Sequence, residues 1–131
     1  LTIQYTIEAK PTTYKGVNFR SRLEARWAAF YDSYNYRWAY EPVDFGGWSP
    51  DFLLNNGVYR DFVEVKPIMQ FDKETGDKMM KYSQGGGGML LCGLTPEFCW
   101  LNTKGWWDQF VFNEAESHWN ASGNAVQWAR S

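Results

Sequence analysis

Two runs of residues typical of β-strands, WSPDFLL (48–54) and VYRDFVEVK (58–66), are separated only by Asn55-Asn56-Gly57. Asn-Gly is the strongest short signal for a β-hairpin, because both residues tolerate the positive φ that a type I′ turn needs. The sequence therefore predicts an antiparallel hairpin whose two turn residues are Asn56 and Gly57. This hairpin restricts the fold more narrowly than any other part of the chain.

The predicted turn fixes the pairing of the hairpin, so that positions whose numbers sum to 113 face each other. Asp51 is then opposite Phe62 and is the diagonal neighbour of Glu64, and both carboxylates lie on one face. Lys66, two residues after Glu64, points the same way. The other face carries apolar side chains that can pack on a helix: Phe52, Leu54, Val63 and Val65.

The segments before the hairpin also carry regular patterns. From Ser21 to about Tyr36, large apolar residues recur at helical spacing, which predicts the first helix. Residues 37–41 predict a strand that Pro42 closes. Alternation of apolar and polar side chains within residues 1–13 predicts an edge strand.

After the hairpin, residues 72–83 predict a second helix with Met79, Met80 and Tyr82 on its buried side. A run of four glycines then leads into residues 89–92, which predict a short buried strand. The Trp-rich tail predicts a strand or hairpin and a short helix from Ser122. The predicted elements therefore alternate between helix and strand, as in an α/β protein.

The composition fits a single domain over residues 1–131. A chain of this length normally builds one core, and 44% hydrophobic and 19% aromatic residues supply the apolar area for it. The formal charge of −2 and the pI of about 5.4 give no general attraction to nucleic acid. Any basic surface that binds phosphates must therefore be local.

The cysteine and histidine counts exclude several kinds of site. Cys92, Cys99 and the single histidine, His118, make neither a disulfide framework nor a four-ligand zinc site. An HNH-type nuclease or a two-histidine zinc enzyme needs more imidazoles than the chain contains. No apolar run approaches the roughly 20 residues of a membrane span, so we expect no membrane partner and a cytoplasmic location.

Asp51, Glu64 and Lys66 form a set that suits phosphodiester hydrolysis. Two carboxylates can hold a hard divalent ion, which neutralises the charge that develops on the phosphate. An ammonium group on the same face can orient or deprotonate the attacking water and contact the phosphate. Carboxylates set among apolar strand residues are costly unless they have such a purpose.

The same residues resemble a known family. FRSRLEARWAAFYD, YEP, SPDFLL and FVEVKP, in this order, are similar to the PD-(D/E)XK nuclease superfamily, in particular to its small phage and bacterial members. Asp51, Glu64 and Lys66 match the acidic residues and the lysine of that motif, and Glu24 in RLEARW matches its helix glutamate. The resemblance extends over about residues 14–93.

The resemblance implies an α/β fold with a restriction-endonuclease-like αβββαβ core, in which helices flank a mixed central sheet. Residues 94–131 then form an aromatic-rich C-terminal extension. The family also implies cleavage of DNA with Mg²⁺ or Mn²⁺, held by Asp51, Glu64 and the backbone carbonyl of Val65, with Glu24 completing the catalytic set. We expect structure-selective or low-specificity cutting, in the cytoplasm of a bacterial host if the chain is phage-encoded.

Local basic and polar residues complete the predicted site. We expect DNA contacts from six residues near the ends of the two predicted helices: Lys15, Arg20, Arg22, Lys78, Tyr82 and Gln84. The alternative for the charged ones is a solvated helix face. Tyr82 and Gln84 resemble accessory positions that some relatives use near the metal.

Other interpretations stay open. Glu24 follows Ser21 by three residues, so it could serve only as the acid of a capping box. Lys66 could be an exposed strand end paired with a carboxylate. The chain could also be a non-catalytic nucleic-acid-binding or protein-interaction module on the nuclease fold, or an aromatic sugar-binding module. A homodimer, which would allow both strands of a duplex to be cut, is a further expectation.

Overall fold

The computed structural model describes residues 10–83 and 88–128. The expected edge strand within residues 1–13 lies mostly outside this range. The elements are β1 (Thr12–Tyr14), β2 (Val17–Phe19), α1 (Arg22–Ser33), β3 (Arg37–Tyr40), β4 (Phe52–Asn55), β5 (Arg60–Val65), α2 (Lys73–Tyr82), β6 (Gly88–Cys92), β7 (Cys99–Asn102), β8 (Trp107–Gln109) and α3 (Ala115–Trp128).

Six strands form one mixed sheet in the order β3-β4-β5-β6-β7-β8, and β1 pairs with β2 in a separate hairpin. Every pair in the large sheet is antiparallel except β5 and β6, which are parallel. A parallel pair needs a crossover connection, and α2 supplies it. The predicted α/β class with a mixed sheet is therefore confirmed.

One face of the sheet packs against α1 and α3. The four apolar hairpin residues predicted to face a helix, Phe52, Leu54, Val63 and Val65, all belong to this core, as predicted. Trp27 of α1 is fully buried there, and its indole N–H donates to the Gly93 carbonyl at 3.0 Å. The apolar spacing of the first predicted helix thus anchors α1 to the sheet.

The opposite face packs against α2 through a smaller cluster of Trp48, Met79, Met89 and Leu91. Successive residues of β6 alternate between the two cores, as they must in a strand covered on both sides. Met79 is fully buried, whereas Met80 is 40% exposed, so the prediction that both methionines are buried is wrong for Met80. Adjacent residues on a helix point about 100° apart, and only one of them can face the sheet.

Gly76 allows α2 to lie close to the sheet. A Cβ at this position would be 2.6 Å from the Phe71 ring and 3.0 Å from the Trp107 indole nitrogen. Gly76→Ala should therefore destabilise the protein by about 1–2 kcal/mol, since overpacking outweighs the gain in helix propensity of roughly 1 kcal/mol. Urea unfolding measures this loss, with exposed Lys78→Ala as the control, and a stabilised Gly76→Ala would contradict the packing.

The connection between β4 and β5 differs from the predicted turn. Asn55 pairs with Arg60, so four residues form the loop, and paired positions sum to 115 instead of 113. A type I′ turn needs positive φ at both central residues, but among Asn56 and Gly57 only the glycine has one, with φ 96°. The Asn56 side chain accepts the N–H groups of Val58 and Tyr59, which favours the wider loop.

Residues after 93 extend the same sheet and the same core. The predicted hairpin is present as β7 and β8, but the last helix begins at Ala115 and not at Ser122. Trp119 and Val126 of α3 are buried against the core that contains α1. Within residues 10–83 and 88–128, no helix is long and apolar enough to cross a membrane.

Candidate functional site

Asp51 lies at a distortion just before β4. Its N–H donates to the carbonyl of Val63 at 2.8 Å, and Val63 is also the strand partner of Phe52. Two residues therefore face one, the arrangement of a β-bulge, which re-aims a side chain and is frequent beside active sites. The Asp51 carboxylate accepts the N–H of Val65 at 2.8 Å, so its orientation is fixed by the backbone of β5.

The predicted pairing of Asp51 with Phe62 is thus wrong, although the proximity of Asp51 to Glu64 is retained. The change of register moves Asp51 beside residues 63–65 of β5. In the observed register positions 51 and 64 are opposite each other, so the two acids stay close, and the bulge re-aims the Asp51 side chain. The Glu64 carboxylate is close enough to raise the pKa of Asp51.

Glu24 reaches the same place from the first turn of α1. Ser21 caps the helix, and its hydroxyl accepts the Glu24 N–H and donates to the Glu24 carboxylate, both at 3.1 Å. The Tyr40 hydroxyl donates to the same carboxylate oxygen at 3.1 Å. Glu24 is also close enough to the Asp51 carboxyl group to raise its pKa. Helix capping and proximity to Asp51 therefore coexist in one side chain.

These contacts leave Asp51 in an environment that opposes its ionisation. Its side chain is buried, with 5% of the residue exposed, and burial raises its pKa first, followed by the negative charge of Glu64. The nearby Glu24 adds to this effect, and the resulting pKa is about 9. The nearest cation, the largely exposed Arg20, lies 3.6 Å from Asp51 and 3.3 Å from Glu41. The cluster thus has more negative charge than its neighbours neutralise.

Glu64 is oriented by an indole. The Trp48 Nε1–H donates to a Glu64 carboxylate oxygen at 2.7 Å, and Trp48 itself is buried under α2. The backbone of the next residue is directed toward Asp51, since the Val65 N–H bonds to that side chain. In a strand the N–H and C=O of one residue point to the same side, so the Val65 carbonyl is directed there too.

Lys66 has partners of its own. Its ammonium group donates to Asp72 at 3.0 Å and to Thr75 at 2.8 Å, at the start of α2. Hydrogen bonds from Thr75 and Lys66 lower the pKa of Asp72. The pairing of Lys66 with a carboxylate, which was the alternative interpretation of this residue, is therefore present.

A cleft of about 490 Å³ opens beside Lys66 and is lined by Gly47 and by Lys78, Lys81 and Tyr82 of α2. The Tyr82 ring lies directly against Gly47, where a Cβ would be 2.2 Å from it. Of the residues predicted to contact DNA, Lys78 and Tyr82 thus lie in the Lys66 cleft. Glu74 and Asp77 also line the cleft, so its ammonium groups lie beside carboxylates.

The remaining predicted DNA contacts lie in different places. Arg20 adjoins Asp51, whereas Arg22 faces a cleft between α1 and α3. Lys15 pairs with Asp32 at 3.1 Å, in the last turn of α1, so the structure does not bring it to the acidic cluster at the helix start. Gln84 lies outside the described residues.

The donor atoms of the cluster fit a hard divalent cation. Within residues 10–83 and 88–128, no three His, Cys, Asp or Glu side chains are arranged as a complete metal site. Mg²⁺ does not require one, because it is commonly held by one or two carboxylates, with water and substrate oxygens in the other positions. Asp51, Glu64 and the Val65 carbonyl supply oxygen donors, and a cation there would offset the negative charge of Glu64 beside the buried Asp51.

Sequence reasoning missed four residues that hold the predicted ones in place: Tyr40, Trp48, Asp72 and Thr75. For both Tyr40 and Trp48 a signal existed, since Tyr40 opens the YEP segment of the family resemblance and Trp48 stands three residues before Asp51. Nothing local marks Asp72 and Thr75, because their contact with Lys66 depends on how α2 docks.

Comparison of the chain with protein-family models, with curated proteins and with solved structures returned no significant match.

Proposed function

We propose that this protein is a Mg²⁺- or Mn²⁺-dependent endonuclease that hydrolyses phosphodiester bonds of DNA. The observation that carries the proposal is the buried Asp51 carboxyl group, whose pKa is raised to about 9 by burial and by Glu64 and Glu24. Perturbed carboxyl groups clustered in this way are typical of catalytic sites. A divalent cation would relieve the repulsion that the cluster otherwise relieves by binding a proton.

The order of the elements supports the same proposal. Helix α1 is followed by β3, β4 and β5, then by α2 and β6, which is the αβββαβ order of a restriction-endonuclease-like core. Glu24 lies on α1 and Asp51 just before β4, whereas Glu64 lies on β5 and Lys66 just after it. These are the elements on which the resemblance to PD-(D/E)XK nucleases would place them.

In this proposal Asp51, Glu64 and the Val65 carbonyl hold the divalent ion. When bound, the ion supplies charge neutralisation at the scissile phosphate and lowers the pKa of a water nucleophile. Glu24 would lie beside Asp51, held by the hydrogen bonds from Ser21 and Tyr40, and the Trp48 indole N–H would orient Glu64. Trp48 thus acts by orienting a ligand, as outer partners of metal sites commonly do.

Two cations of the chain would face the phosphate. Arg20 can turn from Asp51 and Glu41 to a phosphate oxygen, because its side chain is 64% exposed and exposed ion pairs contribute little. Lys66 is hydrogen-bonded to Asp72 and Thr75, so it serves as a fixed positive charge that contacts the phosphate and orients water. Lys78 and Lys81 line the cleft beside Lys66, and their ammonium groups would also be available to a phosphate.

The test is incubation of the protein with single-stranded, linear, supercoiled and branched DNA, and with RNA. Each substrate is combined with Mg²⁺, Mn²⁺ or EDTA. We expect cutting of at least one DNA form with metal and none with EDTA. Absence of cleavage on every substrate, together with no Mn²⁺ binding, would overturn the proposal and favour a non-catalytic module.

Trp48→Phe should weaken Mn²⁺ binding by about tenfold, because Glu64 loses the indole N–H that orients it while the aromatic packing stays. Isothermal titration with Mn²⁺ measures the effect. Trp106→Phe is the matched control, since the exposed Trp106 donates to Asp108 at the far strand of the sheet. Equal Mn²⁺ affinity in the wild type and both variants would contradict a role for Glu64 as a ligand.

A further inference from the structure

A second cleft, separate from the acidic cluster, lies between the first turns of α1 and the middle of α3. It has a volume of about 670 Å³. Its polar and small lining residues are Arg22, Arg26, Thr95, Asn120, Gly123 and Asn124. The lining contains two arginines and two amides but no carboxylate, so every charged group in it is positive.

Arg26 is held in this cleft by α3. Its guanidinium stacks over the Trp119 ring at 4.0 Å, and it donates to the Trp119 carbonyl at 2.9 Å and to the Ser122 hydroxyl at 3.4 Å. Gly123 makes room for it, because a Cβ there would be 2.9 Å from Nη2. A guanidinium has five N–H donors, so three remain without an acceptor among the described residues.

The positive charge in the cleft is uncompensated. Burial and the nearby Arg22 lower the pKa of Arg26, and neither arginine forms an ion pair within residues 10–83 and 88–128. Arg22 and Arg26 are four residues apart, so they lie on the same side of α1. A fixed, partly buried guanidinium beside a second, exposed one is an arrangement that suits a phosphate group, which arginine binds bidentately.

The position of the cleft relates it to the acidic cluster. Arg22 and Glu24 are two residues apart, which on a helix directs them to opposite sides. Glu24 therefore faces Asp51 on one side of the first turn, and Arg22 faces the cleft on the other. A nucleic-acid strand that crosses the start of α1 would contact both places at once.

We propose that the Arg22–Arg26 cleft is a phosphate-binding subsite. It holds a phosphate of the bound DNA strand that is not the scissile phosphate. This rests on the proposed nuclease function and adds a second anchor for the substrate. The strand would run from the Lys66 cleft past Asp51 and Arg20 to Arg26. The subsite recognises the phosphodiester backbone, so binding should not require a terminal phosphate.

The experiment measures binding to labelled single-stranded oligonucleotides with a 5′-phosphate or a 5′-hydroxyl, in EDTA so that no cutting occurs. Arg22→Gln removes one charge, Asn124→Asp adds a carboxylate, and Gly123→Ala displaces the Arg26 guanidinium without removing its charge. Arg37→Gln on the exposed edge strand β3 and Asn113→Asp before α3 are the matched controls. In parallel, thermal unfolding of each protein at increasing concentrations of inorganic phosphate measures how far phosphate stabilises the fold.

We expect about tenfold weaker oligonucleotide binding in Arg22→Gln and Asn124→Asp, with the controls unchanged and both oligonucleotides alike. The slope of log K against log salt concentration should become shallower by about 0.7 for each phosphate that the variant no longer binds. Wild-type binding in all three cleft variants would overturn the subsite, and a strict need for a 5′-phosphate would overturn the internal position.

The outcome is separable from that of the nuclease proposal. If the protein cuts DNA and the cleft variants bind and cut like the wild type, the subsite fails while the nuclease function stands. If no nucleic acid is cut and no Mn²⁺ binds, but Arg22→Gln and Asn124→Asp lose stabilisation by inorganic phosphate, the phosphate site stands and the nuclease function fails. Gly123→Ala tests the position of Arg26 in both cases.

Discussion

Asp51→Asn and Glu64→Gln should each lower the rate of DNA cleavage by roughly 10²–10³-fold, with the fold retained. Each change replaces a negative oxygen donor by a neutral amide of the same size. In Asp51→Asn the new amide oxygen would still accept the Val65 N–H, and in Glu64→Gln it would still accept the Trp48 N–H. A slower reaction would then report the missing charge and not a broken hydrogen bond.

Asp108→Asn is the matched control, because Asp108 is an exposed carboxylate on β8, at the sheet edge farthest from β3. Its cleavage rate should equal that of the wild type. Single-turnover cleavage at saturating Mn²⁺ separates weaker metal binding from a slower chemical step. If Asp51→Asn and Glu64→Gln cut as fast as Asp108→Asn, the metal ligands of the enzyme lie elsewhere.

The acidic cluster could be predicted from the sequence because its parts depend on local patterns. Helical spacing places Glu24 in the first turn of α1, and the two strand runs place Asp51 and Glu64 on neighbouring strands. The register of β4 and β5 differs from the predicted one, since paired positions sum to 115 and not to 113, but it still keeps the two acids close. The bulge at Asp51 could not be predicted, since it arises because Val63 is the strand partner of Phe52 and also accepts the Asp51 N–H.

The turn between β4 and β5 shows why a short motif can mislead. Asn56-Gly57 permits a type I′ turn, but the neighbouring Asn55 side chain accepts the Gly57 N–H and Asn56 accepts two further N–H groups. These local hydrogen bonds offer the backbone an alternative of comparable stability. A rule based on Asn-Gly alone cannot predict which of the two connections, the type I′ turn or the four-residue loop, will form.

Contacts between residues far apart in the sequence could not be predicted from local sequence patterns. Arg26 of α1 donates to Trp119 of α3, more than 90 residues later in the chain. Lys66 donates to Thr75 only because α2 docks over the sheet. The early start of α3 was missed because polar residues dominate its first turns. The buried residues of that helix nevertheless recur at helical spacing, at Trp119, Ser122 and Val126.

Asp51→Asn should also stabilise the metal-free protein, by up to about 5–6 kcal/mol at pH 8. The folded-state pKa of Asp51 is raised from 3.8 to about 9, so the native state binds more protons than the unfolded state between these values. The stability of the wild type therefore falls as pH rises from about 4 to 9. Asparagine resembles the protonated acid, because it can accept from Val65 and it carries no charge at any pH.

Urea unfolding from pH 4 to 9 in EDTA measures the difference between wild type and Asp51→Asn. Half-buried Asp61, whose pKa is also raised by burial, contributes equally to both proteins and cancels in the difference. Asp108→Asn should follow the wild-type curve. The gap between wild type and Asp51→Asn should be small at pH 4 and widen toward pH 9.

Adding Mn²⁺ at pH 8 should reverse the order, because a cation that binds only the native cluster stabilises the wild type by mass action. Asp51→Asn has lost a charged donor and should gain little. A wild type that is more stable than the variant even in EDTA would mean that Arg20 or another neighbour already neutralises Asp51. If the unfolding free energies of wild type and Asp51→Asn change with pH in parallel and neither responds to Mn²⁺, the acidic cluster is a structural network. The metal-dependent function would then fail.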